Sequence, residues 1–138
     1  MIRRVLDTSV AVAWYLPESF SAAARRWQRL LLDGQAELYV PLLQYWEFAN
    51  VLRTYVRRRA LDEATAQEIY SLHLEAPLSL AEPDRASILD IALRYNATVY
   101  DALYIALSLE LQSPLLTAER PSSPWIKKLG NLADCLHR

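Results

Sequence analysis

An α/β fold with a mainly parallel sheet is the architecture that this sequence predicts. Short apolar runs alternate with longer stretches at helical spacing from one end to the other. No linker long enough to divide domains interrupts the alternation, so the 138 residues read as one domain, residues 1–138. Four carboxylates, Asp7, Glu47, Asp101 and Glu119, stand in or beside apolar stretches, two of them just after strands. In a parallel sheet all strands end on one edge, and ligands bind in the crevice outside it.

Residues 2–6 are short, branched and apolar and read as the first strand, ending at Asp7; residues 10–16 continue as a buried helix closed by Pro17. Residues 19–33 read as a second helix, capped by Ser19 or Ser21 and stopped by Gly34, with Ala22, Ala23, Trp27, Leu30 and Leu31 on its inner face. Residues 37–40 make a second strand. Pro41 then opens a long helix over 42–58 that is apolar nearly all round, and its arginine-rich end complements the negative end of the helix dipole. A helix over 62–74, a short strand over 78–81 and a helix over 83–95 follow, the last with Ile88, Ile91, Ala92 and Tyr95 at helical spacing. Residues 98–111 are helical, 114–117 a fourth strand, 122–129 a short helix and 131–135 a fifth strand.

Composition narrows the function. The 53% hydrophobic content is interrupted by charge everywhere, so no run approaches the roughly 20 apolar residues that span a bilayer. The N-terminal segment is cut by Asp7 and lacks a signal-peptide cleavage pattern, and one cysteine, Cys135, fits a reducing compartment, so the cytoplasm is expected. A net charge of −1 gives no general field for a polyanion, which makes any nucleic-acid contact local. The arginines cluster as Arg25, Arg26 and Arg29 and as Arg53, Arg57, Arg58 and Arg59, each group suited to phosphates or simply to a solvated helix face.

Each acid has a structural and a chemical reading. Asp7 can cap the next helix, Asp101 can complete a capping box with Thr98, and Glu119 can be a loop acid. Glu47 is harder to explain structurally, because Trp46, Phe48, Ala49, Val51 and Leu52 surround it and an unpaired buried carboxylate is costly. With Asn50 and Thr54 it makes a narrow polar stripe. Taken together the four acids point to one metal site: oxygen-only ligands suit Mg²⁺ or Mn²⁺, and the cation relieves the repulsion of gathered carboxylates. Two such ions would bridge a phosphodiester. His73 and His137 lie in no ligand-spaced motif, so they read as ordinary surface or core histidines and zinc is not expected. An aspartyl phosphatase would want an acid where Ser9 stands, and Gly34 and Gly130 cannot make a phosphate-binding glycine loop.

Four segments carry a family resemblance: Val5-Leu6-Asp7-Thr8-Ser9; Pro41 followed by Trp46-Glu47-Phe48-Ala49-Asn50-Val51-Leu52; Tyr100-Asp101-Ala102-Leu103-Tyr104-Ile105-Ala106-Leu107; and Leu115-Leu116-Thr117-Ala118-Glu119. In that order they resemble PIN-domain proteins, specifically the VapC-like ribonuclease toxins of type II toxin-antitoxin systems. The resemblance implies a three-layer α/β/α sandwich with about five strands, and Mg²⁺- or Mn²⁺-dependent cleavage of single-stranded RNA. It assigns Asp7, Glu47 and Asp101 as metal-binding and catalytic acids, with Thr8 or Ser9 and Thr117 as supporting hydroxyls. Glu119 departs from the family's usual Asp, which bears on whether a second ion is held. The resemblance also implies a homodimer with an apolar groove for a cognate antitoxin, whose basic side chain, an arginine near its C-terminus, reaches the acids. A non-catalytic PIN-like RNA- or protein-binding module is the other reading, and the substitution at Glu119 is what favours it.

Overall fold

The computed structural model describes residues 1–136; His137 lies outside the described residues. Five parallel strands among them form one sheet: β1 (Ile2–Leu6), β2 (Ala36–Val40), β3 (Ser79–Leu80), β4 (Leu115–Thr117) and β5 (Ala133–Cys135), in the order β3-β2-β1-β4-β5. Register is set by pairs such as Val5 with Tyr39, Leu6 with Leu116 and Thr117 with Cys135. The strand order reverses between β1 and β4, and a crevice opens at such a switch point.

Parallel strands need crossover connections, and here these are helices: α1 (Thr8–Val12), α2 (Ser21–Leu32), α3 (Leu43–Arg57), α4 (Glu63–Glu75), α5 (Ile88–Tyr95), α6 (Val99–Leu111) and α7 (Pro124–Leu129). Because successive strand residues face opposite ways, the sheet feeds two cores. Leu6, Leu38, Val40 and Leu116 face one side, against Val10, Trp14, Trp27, Phe48 and Leu52 of the N-terminal half. Val5 and Leu115 face the other, against Ile91, Ile105, Leu107 and Ile126. The result is the expected three-layer α/β/α arrangement. Burying each of these aliphatic side chains contributes about 1.5–3 kcal/mol.

Several boundaries differ from expectation for local reasons. The helix expected over residues 10–16 begins at Thr8 and ends at Val12, after which turns to Leu16 tighten, with Trp14 N–H donating to the Ala11 carbonyl and Tyr15 N–H to that of Val12. That tightening seats Trp14 in the core, where its indole N–H reaches the Ala24 carbonyl at 2.9 Å. In α2 the buried face is Ala24, Trp27 and Leu31, whereas Ala22 and Ala23 are exposed. Neither Ser19 nor Ser21 caps it: Phe20 takes the cap position, and the Ser21 hydroxyl is engaged by Glu18 N–H and the Leu16 carbonyl. Gly34, at φ +72°, supplies the left-handed stop. The helix expected over 83–95 starts as a 3-10 turn whose cap is Asp84, and becomes α-helical at Ile88. In the last helix Pro124 takes the first turn, where its missing N–H costs nothing.

The long helix is less uniformly apolar in its surroundings than its sequence implied. In α3, Gln44, Phe48 and Leu52 form the fully buried stripe, while Trp46 is 58% exposed. Trp14 is buried, and Tyr15 and Phe20 are half-buried against the same core, so the fold itself covers much of this aromatic surface. Among the described residues no helix is long and apolar enough to cross a membrane.

Candidate functional site

The switch point places Asp7 at its floor. The Asp7 N–H donates to the Leu116 carbonyl at 3.1 Å, which anchors the end of β1 to β4. Asp7 takes the N-cap position of α1, yet its carboxylate makes no capping bond. Instead Oδ2 accepts from the Thr117 hydroxyl at 2.9 Å and from the Ser9 hydroxyl at 3.1 Å. Those hydroxyls are themselves held, Ser9 Oγ by Ala118 N–H at 3.2 Å and Thr117 Oγ1 by Glu119 N–H at 3.1 Å. The helix-cap account of Asp7 therefore fails in detail: its side chain is turned to the sheet edge.

Helix α3 presents Glu47 beside this floor because Gln44, Phe48 and Leu52 turn inward and leave the neighbouring stripe at the crevice. Glu47 Oε1 accepts from the Thr8 hydroxyl at 2.8 Å and from the Tyr104 phenol at 2.6 Å, and those two oxygens are also 2.8 Å apart. Helix α6 supplies Asp101 in its first turn and Tyr104 one turn later. Thr98 caps that helix by accepting Asp101 N–H at 3.0 Å, so a cap and a site-facing acid coexist.

Electrostatics tie the four acids together. Asp7 is pushed up to about 6, chiefly by burial, opposed by the Thr117 hydroxyl and reinforced by the charges of Asp101 and Glu47. Asp101 is raised by burial, then by Glu119 and Glu47. Burial, the Asp7 charge and the bond to Glu47 also raise Tyr104, which stays a proton donor. No ion pair among the described residues engages any of the four acids. An oxygen-only donor set with mutual repulsion and no ion pair among the described residues fits a hard divalent cation. Among the described residues no three acidic, histidine or cysteine side chains are already drawn together as a metal cluster. Hydroxyls hold Asp7 and Glu47 separately, and Glu119 is exposed at the rim.

Two clefts meet here. One, of about 360 Å³, includes Asp7, Thr8, Ser9 and Glu47; the other, of about 590 Å³, includes Asp7, Ser9, Asp101 and Glu119. Thr117 lies buried beneath them. Asn50 is exposed and lines neither cleft. The stripe expected through Asn50 and Thr54 is diverted, since the Thr54 hydroxyl bonds back to the Asn50 carbonyl at 3.0 Å, while Val51 and Tyr55 line the cleft beside Glu47. A further apolar groove, of about 380 Å³, lies elsewhere, between α3 and α4, away from these acids. His73 is a core histidine: Nε2 contacts Gln44 Oε1 at 2.7 Å, and the ring stacks on Phe48. Sequence reasoning missed the bonding roles of Tyr104 and Gln44. Helical spacing carried a signal for both, as Tyr104 lies three residues after Asp101 and Gln44 four before Phe48 and eight before Leu52 on the inward stripe.

A parallel α/β sandwich that gathers carboxylates at the switch point of its sheet defines a class of acidic-site domains. Within that class the chain belongs to the PIN domain family, whose model matches residues 4–120. It is similar to Ribonuclease VapC3 of Pyrobaculum aerophilum, with 32% identity over 123 residues that cover 86% of this chain and 91% of that protein. Two of the solved structures that share the fold illustrate it. The crystal structure of PAE2754 from Pyrobaculum aerophilum superposes with a TM-score of 0.75 at 20% identity, over 98% of this chain and 84% of that one. VapBC2 from Rickettsia felis, bound to a DNA fragment from their promoter, gives 0.63 at 11% identity over 96% of each chain.

Proposed function

We propose that this chain is a Mg²⁺- or Mn²⁺-dependent endoribonuclease that cleaves single-stranded RNA, acting as the toxin of a toxin-antitoxin pair. The observation that carries the reading is the convergence of Asp7, Glu47, Asp101 and Glu119 on the two clefts at the β1/β4 switch point, with no ion pair to any of them among the described residues. The similarity to a protein named as a VapC ribonuclease supports the substrate, and the fold shared with a VapBC assembly supports an antitoxin partner.

Asp7, Glu47 and Asp101 would hold the cation, with Glu119 completing the set from the rim. When bound, the ion supplies charge neutralisation at the phosphodiester and lowers the pKa of water. The chain's own residues do the orienting. Thr117 and Ser9 hold the Asp7 carboxylate, and Thr8 with Tyr104 holds that of Glu47, so two acids meet substrate with set geometry.

We also propose a homodimer in the cytoplasm, where Cys135 stays a thiol. Trp46 and Tyr100 are exposed, each one residue before a site acid, and a second copy covering them would border the acids. The rival reading, a non-catalytic binding module, draws on the exposure of Glu119 and the absence of a pre-drawn metal cluster among the described residues. Purified protein incubated with single-stranded RNA and Mn²⁺ separates the two. Cleavage that stops with EDTA and in Asp101→Asn supports the nuclease; RNA binding without any cleavage supports the module.

A further inference from the structure

The two clefts share Asp7 and Ser9 but differ in chemistry. The larger adds Asp101, Glu119, Arg120, Ser122 and Ser123, a polar rim with one cation. The smaller runs from Glu47 past Val12, Phe20, Val51 and Tyr55, with Glu18 also lining it. Val51 and Tyr55 follow Glu47 by four and eight residues on α3, so one face of one helix carries both an acid of the site and this wall. Phe20, Val51 and Tyr55 are half-buried and packed on the core, so the wall is built before anything binds and costs little ordering.

A phosphate does not suit this cleft, because among the described residues no Lys or Arg lines it and three carboxylates, Asp7, Glu18 and Glu47, do. A flat, neutral group does. About 360 Å³ is at the small end of ligand pockets, and aromatic side chains beside aliphatic ones, here Phe20 and Tyr55 with Val12 and Val51, make a surface on which an unpaired base stacks. Glu18, exposed at this cleft, offers carboxylate oxygens that can accept from the exocyclic amine of guanine, adenine or cytosine, whereas uracil offers only N3–H, set between two carbonyls that repel a carboxylate.

We propose that the cleft of Val12, Phe20, Val51 and Tyr55 is a nucleobase subsite. It takes one unpaired base of the RNA on Tyr55, beside the phosphate that lies over Asp7, and Glu18 selects a base with an amine over uracil. The proposal rests on the RNA-cleaving function above and names how that site chooses its substrate.

The test uses the full chain with Mn²⁺ and short single-stranded oligoribonucleotides, read by cleavage kinetics and by fluorescence anisotropy of labelled RNA. Tyr55→Ala should raise both KM and the binding Kd about 5- to 100-fold, the worth of one stacked base, with kcat little changed. Tyr55→Trp should restore binding, whereas Tyr55→Leu, which keeps apolar packing without an aromatic face, should not. An abasic nucleotide at the subsite position should cost wild type the same factor and cost Tyr55→Ala nothing further. Glu18→Ala should erase the discrimination against uracil. Losses from Tyr55→Ala and the abasic nucleotide that simply multiply, or restoration by Tyr55→Leu, would overturn the subsite. Binding through Tyr55 without cleavage would keep the subsite and sink the nuclease; cleavage indifferent to Tyr55 would do the reverse. Neither binding nor cleavage by wild type would remove both.

Discussion

The phenol of Tyr104 donates to Glu47 Oε1 at 2.6 Å, joining α6 to α3 across the acidic site. Tyr104 is 2% exposed, so its hydroxyl has little water to turn to if that bond is lost, and the carboxylate it orients would swing. Tyr104→Phe removes one oxygen and should cost about 1 kcal/mol of stability. Partners that orient metal-binding carboxylates are worth about 10- to 100-fold, so metal affinity or kcat should fall by that range. Metal titration followed by melting temperature, alongside RNA cleavage, checks both; an unchanged metal midpoint would make Tyr104 a packing residue.

Asp7→Asn and Asp101→Asn remove charge while keeping shape. Cleavage should be abolished in each, and the metal-free protein should melt no lower than wild type, because a repelling carboxylate is gone. Wild type should gain stability as Mg²⁺ or Mn²⁺ is added, and each variant should gain less. A melting temperature that ignores metal in wild type would reduce the acids to caps and surface charges.

Stability between about pH 4 and 6 should reflect two opposed groups. Asp7 sits at about 6 in the fold against an ordinary 3.8, so the native state binds its proton more tightly, and the stability from this group falls as pH rises through that window. Buried His73 is held down at about 4 against 6.5, so its contribution falls in the other direction, as pH drops from 6.5 towards 4. Asp7→Asn should leave a curve that rises with pH, and His73→Phe one that declines. Urea denaturation across this range decides it, with parallel curves for the two variants counting against the assignment.

Glu119 reaches the site from an exposed position. If its longer arm meets a cation, Glu119→Asp should keep or raise activity, while Glu119→Ala should weaken the response to metal. Equal metal midpoints and rates in all three proteins would put this residue outside the site.

Trp46 is 58% exposed and Tyr100 61%, each next to a site acid. A dimer that covers them should appear by light scattering at concentrations on the order of tens of micromolar, and Trp46→Glu should return it to monomer. A wild-type monomer at those concentrations contradicts the dimer.

The strands and most helices were legible because their signals are local. Gly34 marks a helix stop and the spacing of Ile88, Ile91 and Ala92 a helical face, both without tertiary knowledge, whereas the helix expected from residue 122 starts at Pro124. Where expectation slipped, a distant contact had overruled local pattern. The Ala24 carbonyl draws in the Trp14 indole, and the helix expected to continue to Leu16 ends at Val12. The apolar character of α3 was read correctly, but its Gln44 is fully buried because His73 and the Leu6 carbonyl satisfy its amide.

Sequence alone determined the order of strands and helices, the α/β class and the candidate acids, since strand ends and helical periods depend on near neighbours. Only the tertiary structure decided how those acids are held. Thr117 and Asp7 lie 110 positions apart and Tyr104 and Glu47 lie 57 apart, so their bonds exist only once the sheet brings β1, β4, α3 and α6 to one edge. The elevated proton affinity of Asp7 has the same origin, because burial and the nearby charges of Asp101 and Glu47 are properties of the assembled crevice.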